Sequence, residues 1–159
     1  MKITIIAVGK LKEKFLKDGC TEYIKRISPY ARVNIVEIPE ERCPDNPTPG
    51  EIAKVIEKEG QRIADKIPKF SAVFALCIEG TQLSSEDFAQ KIQSTVNTGV
   101  SEITFVIGGS FGLSPQIKNI SNFKLSFGKM TLPHQLMRLV LTEQIYRAFS
   151  ILNNSKYHK

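Results

Sequence analysis

Apolar and polar residues fall in blocks along this chain, and the block lengths predict its elements. Residues 3–8 form a compact β-branched run expected as a buried strand. Over 11–27 the apolar residues Phe15, Leu16, Cys20, Tyr23, Ile24 and Ile27 recur at three and four, with Lys12, Lys14, Lys17 and Lys25 between them. That spacing predicts a helix with those apolar residues inward, stopped at Ser28-Pro29. Val33, Ile35, Val36 and Ile38 predict a second strand, and the proline-rich stretch 39–49 a surface loop. Thr48, Pro49 and Glu51 have the spacing of a capping box, opening a second helix with Ile52, Val55, Ile56, Ile63 and Ile67 inward. A third strand is expected over 72–78, then a helix capped by Ser84, with Phe88, Ile92 and Val96 inward, ending at Asn97-Thr98-Gly99. Two short runs, 103–107 and 123–127, predict two more strands.

The last helix, 133–152, breaks the simple pattern. Met137, Leu141, Ala148 and Leu152 share one face, while Leu139, Tyr146 and Phe149 lie roughly opposite. A helix apolar on two sides needs two covers, and a second copy of the chain is the simplest second cover. Strands alternating with helices imply an α/β fold, a mostly parallel sheet with helices on both faces. Ligands of such sheets bind beyond the carboxyl ends of the strands, where Leu76, Gly108 and Phe127 fall. The turn Gly108-Gly109-Ser110-Phe111-Gly112 and a second turn at Gly128 can bring main-chain donors and acceptors to one small ligand.

Composition narrows the class. A chain of 159 residues, 42% hydrophobic and 24% charged, is expected as one soluble domain spanning 1–159. No apolar run reaches membrane-spanning length, and the start MKITIIAVGK reads as a first strand, not as a signal peptide. Three cysteines without metal-like spacing suit a reducing cytoplasm, and no metal is expected. The net charge of +6 is unevenly placed: after Glu102 the only acidic residue is Glu143, against Lys118, Lys124, Lys129, Arg138, Arg147, Lys156 and Lys159. A cationic C-terminal third beside a ligand turn points to a polyanion such as RNA.

Several chemistries are excluded by spacing. The first strand is followed by GKLKEKF and not by a dinucleotide glycine signature, and no GxxxxGK[ST] or GxSxG occurs. Two histidines remain. His134 opens the last helix, where the dipole disfavours its charged form, and is expected to make a structural hydrogen bond. His158 lies in a polar tail between Tyr157 and Lys159, which is either frayed or in contact with RNA. Arg138 and Arg147 suit ion pairs along the helix, for instance with Glu143; Arg147, nearer the tail, is favoured for substrate contact.

FVIGGSFGLS from Phe105, LSFGKMTLPHQLMRLVLTEQIYRA from Leu125 and the terminal YHK, with MKITIIAVGK, KEGQRI from Lys58 and SSEDFA from Ser84, resemble the SPOUT methyltransferases, specifically the RlmH family, along nearly the whole chain. Departures are mild: Gly128 stands where serine is frequent, Thr81 where lysine is common, and Lys159 where many relatives carry arginine. The resemblance implies a trefoil knot over about 103–152, a homodimer packed through the last helix, and S-adenosylmethionine as cofactor. It also implies methylation of N3 of a pseudouridine in 23S rRNA, expected on the assembled ribosome. By position, Leu76 would line the adenine pocket, and Gly108, Phe127, Gly128, Lys129, Met130, Thr131 and Leu132 would hold the cofactor. His158 would take the N3 proton, Lys159 or Arg147 would stabilise negative charge, and Tyr157 would stack on a base. The knot of one subunit and the tail (153–159) of the other would share a site. Two alternatives stay open: a non-catalytic RNA-binding module, and a SPOUT methyltransferase acting on tRNA.

Overall fold

The computed structural model describes residues 1–158; Lys159, expected at the RNA contact, lies outside the described residues. The elements run β1 (Lys2–Val8), α1 (Lys14–Ile27), β2 (Arg32–Ile38), α2 (Pro49–Ala64), β3 (Ala72–Gln82), α3 (Ser85–Asn97), β4 (Glu102–Ile107), α4 (Pro115–Ile120), β5 (Phe123–Ser126) and α5 (His134–Leu152). The strands form one sheet in the order β2-β1-β4-β3-β5, and every pairing in it is parallel.

The expected layers are present. Ile3, Ile5 and Ala7 of β1 pack with Ile27 of α1, Phe88 and Ile92 of α3, and Leu141, Ile145 and Ala148 of α5. Ile6 and Val8 point to the other face and join Ile63 of α2 with Leu113 and Ile117. Strands covered on both faces read as continuous apolar runs, which is why β1 and β4 carry so few polar residues. Each fully buried isoleucine among them contributes roughly 1.5–3 kcal/mol by leaving water. Aromatic rings fill the wider layer, with Phe74 edge-on to Phe105 at 5.4 Å between centroids.

Local signals placed the helices well where side chains cap them. Thr48 Oγ1 accepts the Glu51 N–H at 3.2 Å, and the Glu51 carboxylate accepts the Thr48 N–H at 3.3 Å. Ser84 Oγ accepts the Asp87 N–H at 3.0 Å, and Gly99, at φ +90°, follows the end of α3. Other boundaries differ. α1 starts at Lys14 and not near Leu11, because residues 9–13 turn over the start of α5, where the Lys12 N–H donates to Gln135 Oε1 at 3.0 Å. Phe15 is 66% exposed, not inward. α4 was not anticipated: with six residues it is too short for periodicity, and its only signal is Ser114 capping the Ile117 N–H at 3.2 Å, followed by Pro115. β3 continues to Gln82, past the expected end at Ile78, through a register break in which both Leu76 and Thr81 pair with Leu125. A Cβ at Gly80 would lie 2.8 Å from the Lys124 and Leu125 backbone, so only glycine lets the strands approach there.

α5 corrects a second expectation. Its Leu139–Tyr146–Phe149 side is covered within the chain by α1 and the turn that follows it. Leu139 sits over Gly19, Tyr146 lies 6.2 Å from Tyr23, and Phe149 stacks on Tyr30 at 5.6 Å. Arg138 does not pair with Glu143. It is 3% exposed and donates to Glu37 Oε1 at 2.7 Å and to the Gly9 carbonyl at 2.8 Å. One guanidinium therefore ties α5 to the ends of β1 and β2. Replacing it with methionine leaves the Gly9 carbonyl and the partly exposed Glu37 without their donor, an expected loss of about 2–4 kcal/mol measurable by urea unfolding. Unchanged stability would show that the contact does not anchor the helix.

Candidate active site

A cavity of about 740 Å³ opens at the carboxyl end of the sheet, within the range of small-molecule sites. Its walls are the end of β3 from Leu76, the glycine turn after β4, Lys118 of α4, the end of β5, and residues 130–137 leading into and through the first turn of α5. Leu76, Ile107 and Leu125 are buried and make its apolar floor. Of the eight expected cofactor residues, Leu76, Gly108, Phe127, Gly128, Met130, Thr131 and Leu132 line it, whereas Lys129 does not and is exposed.

The glycines do specific work here. A Cβ at Gly108 would lie 2.7 Å from the Gly112 carbonyl carbon, so the turn can close only on glycine. It is closed by the Gly112 N–H donating to the Gly109 carbonyl at 3.1 Å. Gly128 sits at φ +135° with open space where a Cβ would stand. Ser126 fixes that turn, its Oγ accepting the Gly128 N–H at 3.2 Å and donating to the Gly128 carbonyl at 3.1 Å. An apolar slot edged by bare backbone suits a ligand with a flat heterocycle and a polar tail.

Polar groups that were not expected at the ligand site also reach the cavity. Glu79 and Lys118 line it as an ion pair, and Lys118 holds the Glu79 carboxyl below the usual carboxylate range. His134 lines it too; its Nε2 lies 3.2 Å from Glu40 Oε1 but outside hydrogen-bond geometry, so this atom does not make the expected structural hydrogen bond. Beneath the glycine turn, Glu59 of α2 is buried. A Cβ at Gly109 would meet Glu59 Oε2 at 2.7 Å, and Glu59 Oε1 accepts the Glu41 N–H at 3.5 Å.

The tail forms a second cluster. The Tyr157 hydroxyl donates to Glu143 Oε1 at 3.0 Å and lies 3.3 Å from the Tyr23 hydroxyl. Its ring packs against Tyr146 at 4.6 Å and under the Arg147 guanidinium at 4.8 Å. Burial, with the Tyr23 hydroxyl and Glu143 carboxylate beside it, pushes the phenol well above its ordinary value. Arg147 Nε and Nη2 donate to Glu143 Oε1 at 3.0 and 2.6 Å, and its Nη1 lies 3.3 Å from His158 Nδ1. Arg147, Tyr157 and His158 are thus together, but none of them lines the cavity. Met137, the lining residue farthest along α5, and Arg147 stand ten residues apart on that helix, about 15 Å along its axis. Among the described residues, the tail and the cradle of one chain do not meet.

Fold and site together define an α/β protein whose ligand cradle is made from main chain late in the sequence. Residues 1–158 match the family described as predicted SPOUT methyltransferase, and the chain belongs to the SPOUT methyltransferase family. It is 55% identical over 159 residues, covering 100% of both chains, to the ribosomal RNA large subunit methyltransferase H of Carboxydothermus hydrogenoformans. It is 57% identical, again over 100% of both chains, to the protein of that name from Bacillus cytotoxicus. A solved probable methyltransferase from Bordetella pertussis shares the fold at a TM-score of 0.52 and 12% identity, over 92% of this chain and 95% of that one.

Glu59 provides a test of the support under the glycine turn. Burial raises its carboxyl above the ordinary value, so the stability it contributes is present at low pH and is lost as pH rises through its folded-state value. Glu59→Gln removes that ionisation. The unfolding free energy of the variant relative to wild type is expected to improve as pH goes from 4 to 7, and a pH-independent difference would contradict the assignment.

Proposed function

We propose that this chain is an S-adenosylmethionine-dependent methyltransferase that methylates N3 of a pseudouridine in 23S rRNA, in the cytoplasm and on the assembled ribosome. Full-length identity to relatives named for large-subunit rRNA methylation supports the substrate class. The observation that carries the reaction class is the cradle: an apolar slot closed by backbone at Gly108 and left open over Gly128. Those features fit the cofactor, with Leu76 and Leu132 against the adenine, and main chain of residues 127–132 and Gly108 around the ribose and methionine portions. The side chain of Lys129 points away, so only its backbone would contribute. S-adenosylmethionine supplies an electrophilic methyl group on sulfur.

The chain's own task is to orient the base and remove the N3 proton, for which orientation alone is worth on the order of 7–11 kcal/mol. His158 accepts that proton, and Arg147 with Lys159 stabilises the negative charge left on the ring oxygens. The Tyr157 ring, packed between Tyr146 and Arg147, props the histidine; stacking on a base would require it to leave that place. Since about 15 Å of helix separates the last lining residue, Met137, from Arg147 and the tail cluster of the same chain, the active unit is a homodimer in which one subunit lends its tail to the other's cradle. Half-buried Leu136 and Val140 of α5 and exposed Phe15 of α1 supply apolar surface for that contact. The knot is part of the same reading. β5 lies at the sheet edge beyond β3, and α5 returns from there to pack between α1 and α3. Passage of that segment through the loop after β3 makes the trefoil, an exception to the rule against threaded chains.

Titration calorimetry should show S-adenosylmethionine binding to the wild type and loss of at least tenfold in affinity for Gly108→Ala, whose methyl must displace the Gly112 carbonyl. Nucleoside mass spectrometry of 23S rRNA should show N3-methylpseudouridine with the wild-type gene. His158→Ala should lower the methylation rate by roughly 10²–10⁴-fold. Binding that ignores Gly108, or an unmethylated nucleoside in wild-type cells, would overturn the proposal.

A further inference from the structure

The sequence drew attention to His158 but not to what holds it. His158 Nε2 lies 2.8 Å from Oε1 of Glu86, seventy-two positions earlier in the first turn of α3. On its other side, Nδ1 faces Arg147 Nη1 at 3.3 Å. A guanidinium only donates, so the nitrogen facing it must carry the lone pair. The ring proton is therefore on Nε2, where it is donated to the Glu86 carboxylate. The two contacts select one tautomer.

An exposed ion pair by itself would carry little weight, but this one closes a circuit. Ser85, next to Glu86, donates from Oγ to Gln144 Oε1 at 2.8 Å. Gln144 Nε2 donates to Glu143 Oε2 at 2.6 Å. Glu143 Oε1 accepts from Arg147 and from the Tyr157 hydroxyl, and Arg147 returns to His158. The first turn of α3, the outer stripe of α5 and the tail are thus one loop of polar contacts, with His158 as the member that joins the ends. Such loops gain order when every member is satisfied. The chain bends into place through Asn154 at φ +52° and the Ser155 N–H donating to the Ser150 carbonyl at 2.8 Å.

We infer that Glu86 is a positioning residue for His158: it fixes the imidazole in the Nε2–H tautomer and leaves Nδ1 as the basic atom. This rests on the role given to His158 in the proposed reaction. In that step the N3–H bond of the substrate breaks, the electron pair stays on N3, and the proton passes to Nδ1. The resulting imidazolium is held by the Glu86 carboxylate, and the Arg147 Nη1 that had faced Nδ1 turns to the ring oxygens of the substrate. Glu86 touches no reacting atom.

The test has two readouts on the full-length protein. The first is nitrogen-15 NMR without cofactor or RNA. In the wild type the Tyr157 and His158 amides should be as ordered as α5, with Nδ1 unprotonated. In Glu86→Ala the amides should fall to the order parameters of a free tail, below about 0.6, while Glu86→Gln, which keeps an acceptor for Nε2–H, should retain most of the order. The second is methylation kinetics. Glu86→Ala should lower kcat by about tenfold to a hundredfold with S-adenosylmethionine affinity unchanged, and Glu86→Gln should recover much of the loss. A tail equally ordered in Glu86→Ala, or a kcat unmoved by that change, would overturn the assignment. Because the NMR readout needs neither cofactor nor substrate, a wild type that methylates nothing would strike the proposed function and not the Glu86 contact.

Discussion

The length of α5 is the constraint on which the rest of this molecule depends. Its first turn lines the cradle at the carboxyl end of the sheet, and its far end carries Arg147 and the tail. A helix of nineteen residues is a rod of about 28 Å, so the cradle and the tail cluster, which the proposed reaction brings together over one nucleobase, are held apart in a single chain. Arg138 pins the near end through Glu37 and the Gly9 carbonyl, and the polar circuit through Glu86 pins the far end. Neither end can swing to the other. In the proposed reaction a complete site takes two chains, so the proposed dimer rests on chemistry more than on hydrophobic demand.

That distinction matters because the hydrophobic argument for dimerisation had the wrong face. Leu139, Tyr146 and Phe149 looked unpaired in the helical pattern, yet α1 covers them through Gly19 and Tyr23, and the turn after it through Tyr30. At Gly19 the Leu139 methyls occupy the space that an added Cβ would push them from. Periodicity reports that a face is apolar; it does not say which neighbour covers it. Phe15, read as core, is instead exposed on the same helix α1.

Much of the remainder was legible for identifiable reasons. Strands buried on both faces and helices opened by Thr48 or Ser84 carry their signals locally, so the layered parallel sheet could be read from residue order. The cradle was legible because glycine is nearly obligatory at Gly108 and marks a bend at Gly128. Contacts between distant segments left no such trace. The Glu86–His158 pair, the Glu79–Lys118 pair across the cavity wall and the register break at Leu76 all depend on which loops lie side by side. α4 escaped notice because one turn and a half has no period to detect. The roles of the tail residues came from family resemblance, and the geometry explains why residue types alone were silent: Tyr157 and Arg147 are occupied with each other and with Glu143.

The most direct test of the two-chain site is a mixed-dimer experiment. One variant loses the cradle through Gly108→Val, the other loses the tail base through His158→Ala, and each alone should be inactive. Unfolded together in equal amounts and refolded, they form half heterodimers, each with one intact cradle facing one intact tail, so activity should return to about a quarter of wild type. Activity that stays at the level of the separate variants would contradict a site shared between subunits.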